Sequence, residues 1–294
     1  VASKKLQQTI ISISSGNFGE LHRLIDQLIS DQKKPVVLGV SGGSATGKSS
    51  LTKLIKSARR ESLTVFPLDE FQLGNSFADA AASPYRWDDP RNFDPELSSN
   101  ALNTLISTGT CLIPRFSLEK NERIGTQSLT RSEIVVVEGL YPLLEPLDQF
   151  IDVGIYFEAP FFARFVRRAY RFTGEMGLEY SNIPVKHMLT GVSRAHTDYV
   201  QHQKPLADVL VKVDFSFENE IGGALASLGA FVDSKLVALP WQVVQKLPQN
   251  LEIVAGNNGG LDYLAIRWNG RISFTAQITK NLLELATNVD WMAT

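Results

Sequence analysis

The stretch Val36-Val37-Leu38-Gly39-Val40-Ser41-Gly42-Gly43-Ser44-Ala45-Thr46-Gly47-Lys48-Ser49-Ser50 decides how the chain is read. It opens with a continuous apolar run, the pattern of a strand buried on both faces of a parallel sheet. From Gly42 to Ser49 it then satisfies Gly-x-x-x-x-Gly-Lys-Ser in full, and a helical pattern follows. Between a strand and a helix this spelling makes an anion nest. Glycines let backbone N–H groups turn inward, and the helix adds its positive N-terminal end. Lys48 is then expected to reach the β- and γ-phosphates of a nucleotide, with the Ser49 hydroxyl ligating Mg²⁺. Gly42 to Ser50 are the expected nucleotide-binding set.

Outward from this loop, short apolar runs recur at Thr64-Val65-Phe66, Ile134 to Val137, Val153 to Phe157 and Val209-Leu210-Val211. Stretches long enough for helices separate them, which predicts an α/β fold with a parallel sheet and helices on both faces. Ligands of such sheets bind at the carboxyl ends of the strands. The run at Phe66 leads into Asp69, where a carboxylate can take the proton of an attacking hydroxyl. The run at Val137 ends in Glu138, suited to a Mg²⁺-bound water. The segment from Asp69 to Phe93, rich in Asp, Asn, Ser, Ala and Pro, is too long for a minimal turn and reads as a substrate loop.

The flanks read differently. Leu21, Leu24, Ile25 and Leu28 recur at helical spacing, so residues 1–34 are expected to be a helical segment. Residues 35–234 then form the main domain, and residues 235–294 a β-rich C-terminal appendage. Leu251 to Val254, Tyr263 to Trp268 and Arg271 to Thr275 look like strands, and Asn269-Gly270 is a hairpin-turn signal. Thr279 to Ala286 could add a helix.

Composition narrows the function classes. With 44% hydrophobic and 20% charged residues over 294, the chain can bury a large core. A net charge of -2 lacks the cationic excess that nucleic acid or an anionic membrane would attract, so neither partner is expected. Cys111 is the single cysteine, which fits a reducing compartment, and no apolar leader or span is visible; the cytoplasm is the expected location. The four histidines are scattered and form no metal-binding spacing.

Several motifs beyond the loop carry a resemblance. Leu68-Asp69-Glu70-Phe71, Trp87-Asp88-Asp89-Pro90-Arg91-Asn92-Phe93-Asp94, Ile113-Pro114-Arg115-Phe116, Val136-Val137-Glu138-Gly139-Leu140 and Lys204-Pro205-Leu206-Ala207-Asp208-Val209 follow in order. Over about residues 35–215 the chain resembles the uridine kinase and phosphoribulokinase superfamily, with pantothenate kinases among its members. The resemblance implies a P-loop NTPase fold with a five-stranded parallel core, ATP and Mg²⁺ as cofactors, and γ-phosphoryl transfer to a small acceptor with a free hydroxyl. It implies Asp69 as general base, with Lys48, Arg168 and Arg171 as further catalytic groups. Asp88, Phe71, Phe116 and Arg168 are implied on the acceptor, and Ser49, Glu138 and Asp69 at the metal.

Arg164, Arg167, Arg168 and Arg171 stand where the family carries an arginine-bearing lid. The chain also departs from the pattern. Phe116 and Asn121 occupy positions where uridine kinases carry a tyrosine and a histidine that read the pyrimidine, and Glu175-Met176-Gly177-Leu178 replaces a lid segment with two more arginines. These losses leave open a same-fold kinase for pantothenate, glycerate or a sugar, and a regulatory nucleotide-dependent protein. Homo-oligomer formation is left open as well.

Overall fold

In chain order the elements are β1 (Thr9–Ile13), α1 (Gly19–Ser30), β2 (Val36–Gly42), α2 (Lys48–Ala58), β3 (Leu63–Pro67), α3 (Pro95–Thr108), β4 (Thr110–Ser117), β5 (Glu122–Thr130), β6 (Ile134–Glu138), β7 (Val153–Glu158), β8 (Val209–Val213), β9 (Leu251–Asn258), β10 (Leu261–Trp268) and β11 (Arg271–Gln277). The structure is a computed structural model that describes residues 8–13, 19–30, 35–58, 63–77, 88–159, 164, 167, 168, 171, 191–213, 251–258, 261–268 and 271–277. The expected helix from Thr279, the turn residues Asn269 and Gly270, Trp87, and Glu175 to Leu178 lie outside them. The chain divides into two compact units, Val1–Glu158 with Ala195–Val213 and Ala159–Arg194 with Asp214–Thr294.

The first unit is built on a six-stranded sheet in the order β1-β8-β7-β2-β6-β3, every neighbouring pair parallel. β2 lies near the middle and is buried along its whole length, as its uninterrupted apolar run requires. Residues alternate between the two faces of the sheet. Val36, Leu38 and Val40 join Leu21 and Ile25 of α1 and Leu51 and Ile55 of α2 in one core. Val37, Val135 and Val137 join Ala101, Leu102 and Leu105 of α3 on the opposite face. The α/β architecture with helices on both faces is therefore the one read from the run spacing.

Two elements depart from that reading. Residues 1–34 are not helical throughout: Thr9–Ile13 is a strand that pairs in parallel with β8, so the expected five-stranded core has six strands. The segment Thr-Ile-Ile-Ser-Ile is dominated by β-branched residues, which fit a pleated, half-buried surface better than a helix. β4 and β5 form a separate antiparallel hairpin with no counterpart among the apolar runs. In β5 exposed residues dominate, so no buried stripe marks it.

In the second unit, β9, β10 and β11 form a three-stranded antiparallel sheet in the order β11-β10-β9. Trp268 pairs with Arg271 across the position of the Asn-Gly turn signal.

Candidate active site

The loop after β2 has the backbone that its glycines were expected to allow. Gly42 has φ 142, and a Cβ there would lie 2.5 Å from the Phe157 carbonyl oxygen, so only glycine fits. Ala45 takes φ 63, a left-handed conformation that non-glycine residues adopt rarely. Inside the turn the buried Thr46 hydroxyl donates to the Gly43 carbonyl at 2.8 Å. α2 begins at Lys48, which sets its positive end under the loop. The Lys48 Nζ, on a side chain from a residue only 9% exposed, donates to the carbonyls of Gly42 and Gly43 at 2.9 and 2.8 Å. The cation is held over the cradle.

Sheet register brings the acids to this loop. Glu138 ends β6, opposite Val40 of β2 on one side and Pro67 of β3 on the other. Its Oε1 accepts from the Ser49 hydroxyl at 2.5 Å and its Oε2 from the Thr52 hydroxyl at 2.8 Å. Thr52 escaped the sequence reading, although it follows Ser49 by three residues, on the same face of α2. Asp69 stands on a 3-10 turn, Leu68–Phe71, directly after β3 and is exposed. It is therefore next to the strand that presents Glu138.

The remaining expected acceptor residues occupy varied settings. Asp88 is 8% exposed, and its carbonyl accepts from the Tyr141 hydroxyl at 2.6 Å. The neighbouring Asp89 has a structural part: its carboxylate accepts from the Arg91 amide at 2.9 Å and from its guanidinium at 3.1 and 2.8 Å. Phe71 is buried and stacks on Phe66 with ring centroids 5.1 Å apart. Phe116 is half-buried, and its amide donates to Glu70 Oε2 at 2.5 Å. Asn121 has φ 53, and its side-chain amide donates to Asn75 Oδ1 at 2.9 Å. Arg164, Arg167, Arg168 and Arg171 belong to the second unit, where Arg164 is 9% exposed.

Another residue that the sequence did not announce fastens the turn after Glu138. Gln203, fully buried, accepts from the Leu143 amide at 3.0 Å and donates to the Leu140 carbonyl at 2.7 Å. A cavity of about 560 Å³ opens beside the end of β7, lined by Glu158, His196, His202 and Lys204 among others. It contains none of the residues expected to handle phosphate or acceptor.

Among the described residues no group of three or more His, Cys, Asp or Glu side chains could hold a metal ion by itself. The oxygen pair Ser49 and Glu138 nevertheless has the donor chemistry of a Mg²⁺ site that is completed by phosphate and water. No helix among the described residues is long and apolar enough to cross a membrane.

Comparison with known proteins gives this geometry its setting. Residues 37–216 match the model of the phosphoribulokinase / uridine kinase family. The uridine kinase of Clostridium botulinum (strain Okra / Type B1) is 27% identical over 188 residues, covering 61% of this chain and 88% of its own. The uridine kinase of Halobacterium salinarum is 26% identical over 182 residues, 59% of this chain and 78% of its own. In fold the chain is similar to a protein from Silicibacter sp. TM1040 described as a fructose transport system kinase, with TM-score 0.52 and 20% identity, over 67% of this chain and 98% of that one. The family match begins in the strand that feeds the phosphate loop and ends just past the last strand of the parallel sheet, so it takes in the loop, both strand-end acids and the hairpin between them: this chain belongs to the phosphoribulokinase / uridine kinase family.

Proposed function

We propose that the protein transfers the γ-phosphoryl group of ATP to a hydroxyl of a small acceptor, with residues 35–234 as the catalytic region. The observation that carries this reading is the position of Glu138, bonded to Ser49 and set by register between the end of the loop strand and the end of the Asp69 strand. Donor and acceptor chemistry thereby meet at one edge of the sheet. Gly42 to Ser50 cradle the phosphates, and Lys48 neutralises the β- and γ-oxygens. Ser49 and Glu138, with Asp69 nearby, are the residues that would hold Mg²⁺, which when bound offsets charge on the phosphate oxygens.

Asp88 orients the acceptor and Asp69 takes its proton. The acceptor oxygen bonds to the γ-phosphorus as the bond from that phosphorus to the bridging oxygen breaks, and ADP leaves with the electron pair. Arg168 and Arg171 neutralise charge on the migrating group. Phe71, the last residue of the Asp69 turn, and Phe116 shape the acceptor side. Catalysis is then mainly positioning and electrostatics.

A specific observation favours a non-nucleoside acceptor over uridine. Asn121, in the turn of the β4–β5 hairpin, is engaged by Asn75 of the segment that follows the Asp69 turn, and Phe116 offers a ring without a hydroxyl where a base would need hydrogen-bonding partners. A site without those partners gives a pyrimidine little advantage over a sugar or a hydroxy acid.

The test is acceptor-dependent ADP formation with uridine, cytidine, pantothenate, glycerate and simple sugars, using Asp69→Asn as the variant. Turnover with one acceptor is expected to fall by roughly 10²- to 10⁴-fold in Asp69→Asn while ATP still binds. Undiminished turnover in that variant would remove Asp69 from the role, and uridine as the best acceptor would overturn the non-nucleoside preference.

A further inference from the structure

Arg123 lies on β5, a polar strand of the hairpin, and no motif includes it. Its guanidinium spans three acceptors. Nε donates to the Gln72 carbonyl at 2.9 Å, one terminal nitrogen to the Phe71 carbonyl at 2.7 Å, and both terminal nitrogens reach Asp94 Oδ2 at 3.3 Å. Phe71 closes the 3-10 turn that carries Asp69, and Gln72 follows it. Carbonyls at the end of such a turn lack donors from within it, and a planar fork of N–H groups satisfies two of them together.

The same place joins the two acid-bearing segments. Gln72 and Phe93 form an antiparallel bridge, and the Leu73 amide donates to the Asn92 carbonyl at 2.7 Å. The Gly74 amide donates to Asn92 Oδ1 at 3.0 Å and the Asp94 amide to the Phe71 carbonyl at 3.0 Å. Asp94 Oδ1 also caps α3 through the Leu97 amide at 3.0 Å. A second seam lies on the hairpin side. Glu70 accepts from Phe116, and the Asn75 amide donates to the Asn121 carbonyl at 2.8 Å. Gly74, at φ 57, approaches that carbonyl so closely that a Cβ would come within 2.2 Å of it.

We propose that Arg123 is a positioning residue for the acceptor half of the site: by clamping the Asp69 turn to the segment that runs from Asp88 to Asp94, it fixes the separation of the two acids. It touches neither the phosphate loop nor Glu138 in any of these bonds, so its effect falls on the acceptor and not on ATP. The inference deepens the kinase reading and rests on it through the roles of Asp69 and Asp88.

The experiment compares Arg123→Ala and Arg123→Lys in the full chain by two independent readouts. Amide hydrogen exchange needs no acceptor. In Arg123→Ala it is expected to quicken across residues 69–77 and 88–94 while residues 42–49 keep their wild-type rates. Steady-state kinetics then uses whichever acceptor of the panel supports turnover. Here kcat is expected to fall roughly 10²-fold, the cost of a small misplacement of a reacting group, with KM for ATP unchanged.

Methylguanidinium added to Arg123→Ala is expected to restore part of kcat, which a general loss of folding would not allow. Arg123→Lys, which keeps the charge but not the fork, is expected to lie between the two. Wild-type exchange and wild-type kcat in Arg123→Ala would overturn the proposal, as would an equal loss of ATP affinity. If the wild-type chain phosphorylates nothing in the panel, the kinase reading fails by itself, and the exchange experiment still decides whether Arg123 clamps the two segments.

Discussion

At the scale of single residues, the phosphate half of the site was legible because its chemistry is contiguous. One loop must turn its amides inward, place a lysine and offer a hydroxyl, and Gly42 to Ser49 spell all of that within eight positions. Thr52, Gln203 and Arg123 were not legible, since each acts on a partner far away in sequence, and in the last two cases on backbone carbonyls that carry no side-chain signature. Thr52 lends itself to a direct test. Its hydroxyl is the second anchor of Glu138, so Thr52→Val, similar in shape, leaves Oε2 without that donor. Stability is expected to drop by about 1 kcal/mol. A weaker apparent affinity for Mg²⁺ should accompany it, measured as the Mg²⁺ dependence of ATP binding. An unchanged Mg²⁺ dependence would show that Ser49 alone orients the carboxylate.

At the scale of elements, β2, β3, β6, β7 and β8 were readable because strands buried on both faces are short, apolar and uninterrupted. β1 was hidden by the helical spacing of Leu21 to Leu28 immediately after it, and the β4–β5 hairpin by its polar, exposed second strand. The corrected N-terminus makes its own prediction. Ile11 is buried at 4% in the main core, whereas Ile10 is 58% exposed on the same strand. Ile11→Ala is expected to destabilise the protein by about 2–5 kcal/mol. Ile10→Ala should stay within about 0.5 kcal/mol of wild type. Denaturant melts of the two variants check this, and equal losses would argue against a strand that buries one of these two side chains and exposes the other.

At the scale of the whole molecule, the chain belongs to a kinase family, and in the proposed function its phosphate cradle comes from one stretch while its acceptor side is assembled from three: the Asp69 turn, the Asp88 to Asp94 segment and the hairpin that carries Arg123. This division explains why sequence reading reached the reaction class before the substrate. The phosphate-binding chemistry lies in one contiguous loop, while the acceptor chemistry depends on which loops the fold brings to the same sheet edge. The most direct test of the central claim is transfer of label from [γ-³²P]ATP to a small acceptor by the purified full chain with Mg²⁺, across the panel above, beside Lys48→Ala. The account predicts a labelled acceptor product for the wild-type protein and a rate lower by roughly 10²- to 10³-fold for Lys48→Ala, the scale expected for loss of one preorganised charge-stabilising group. Label released only as inorganic phosphate, or transfer that persists undiminished in Lys48→Ala, would contradict it.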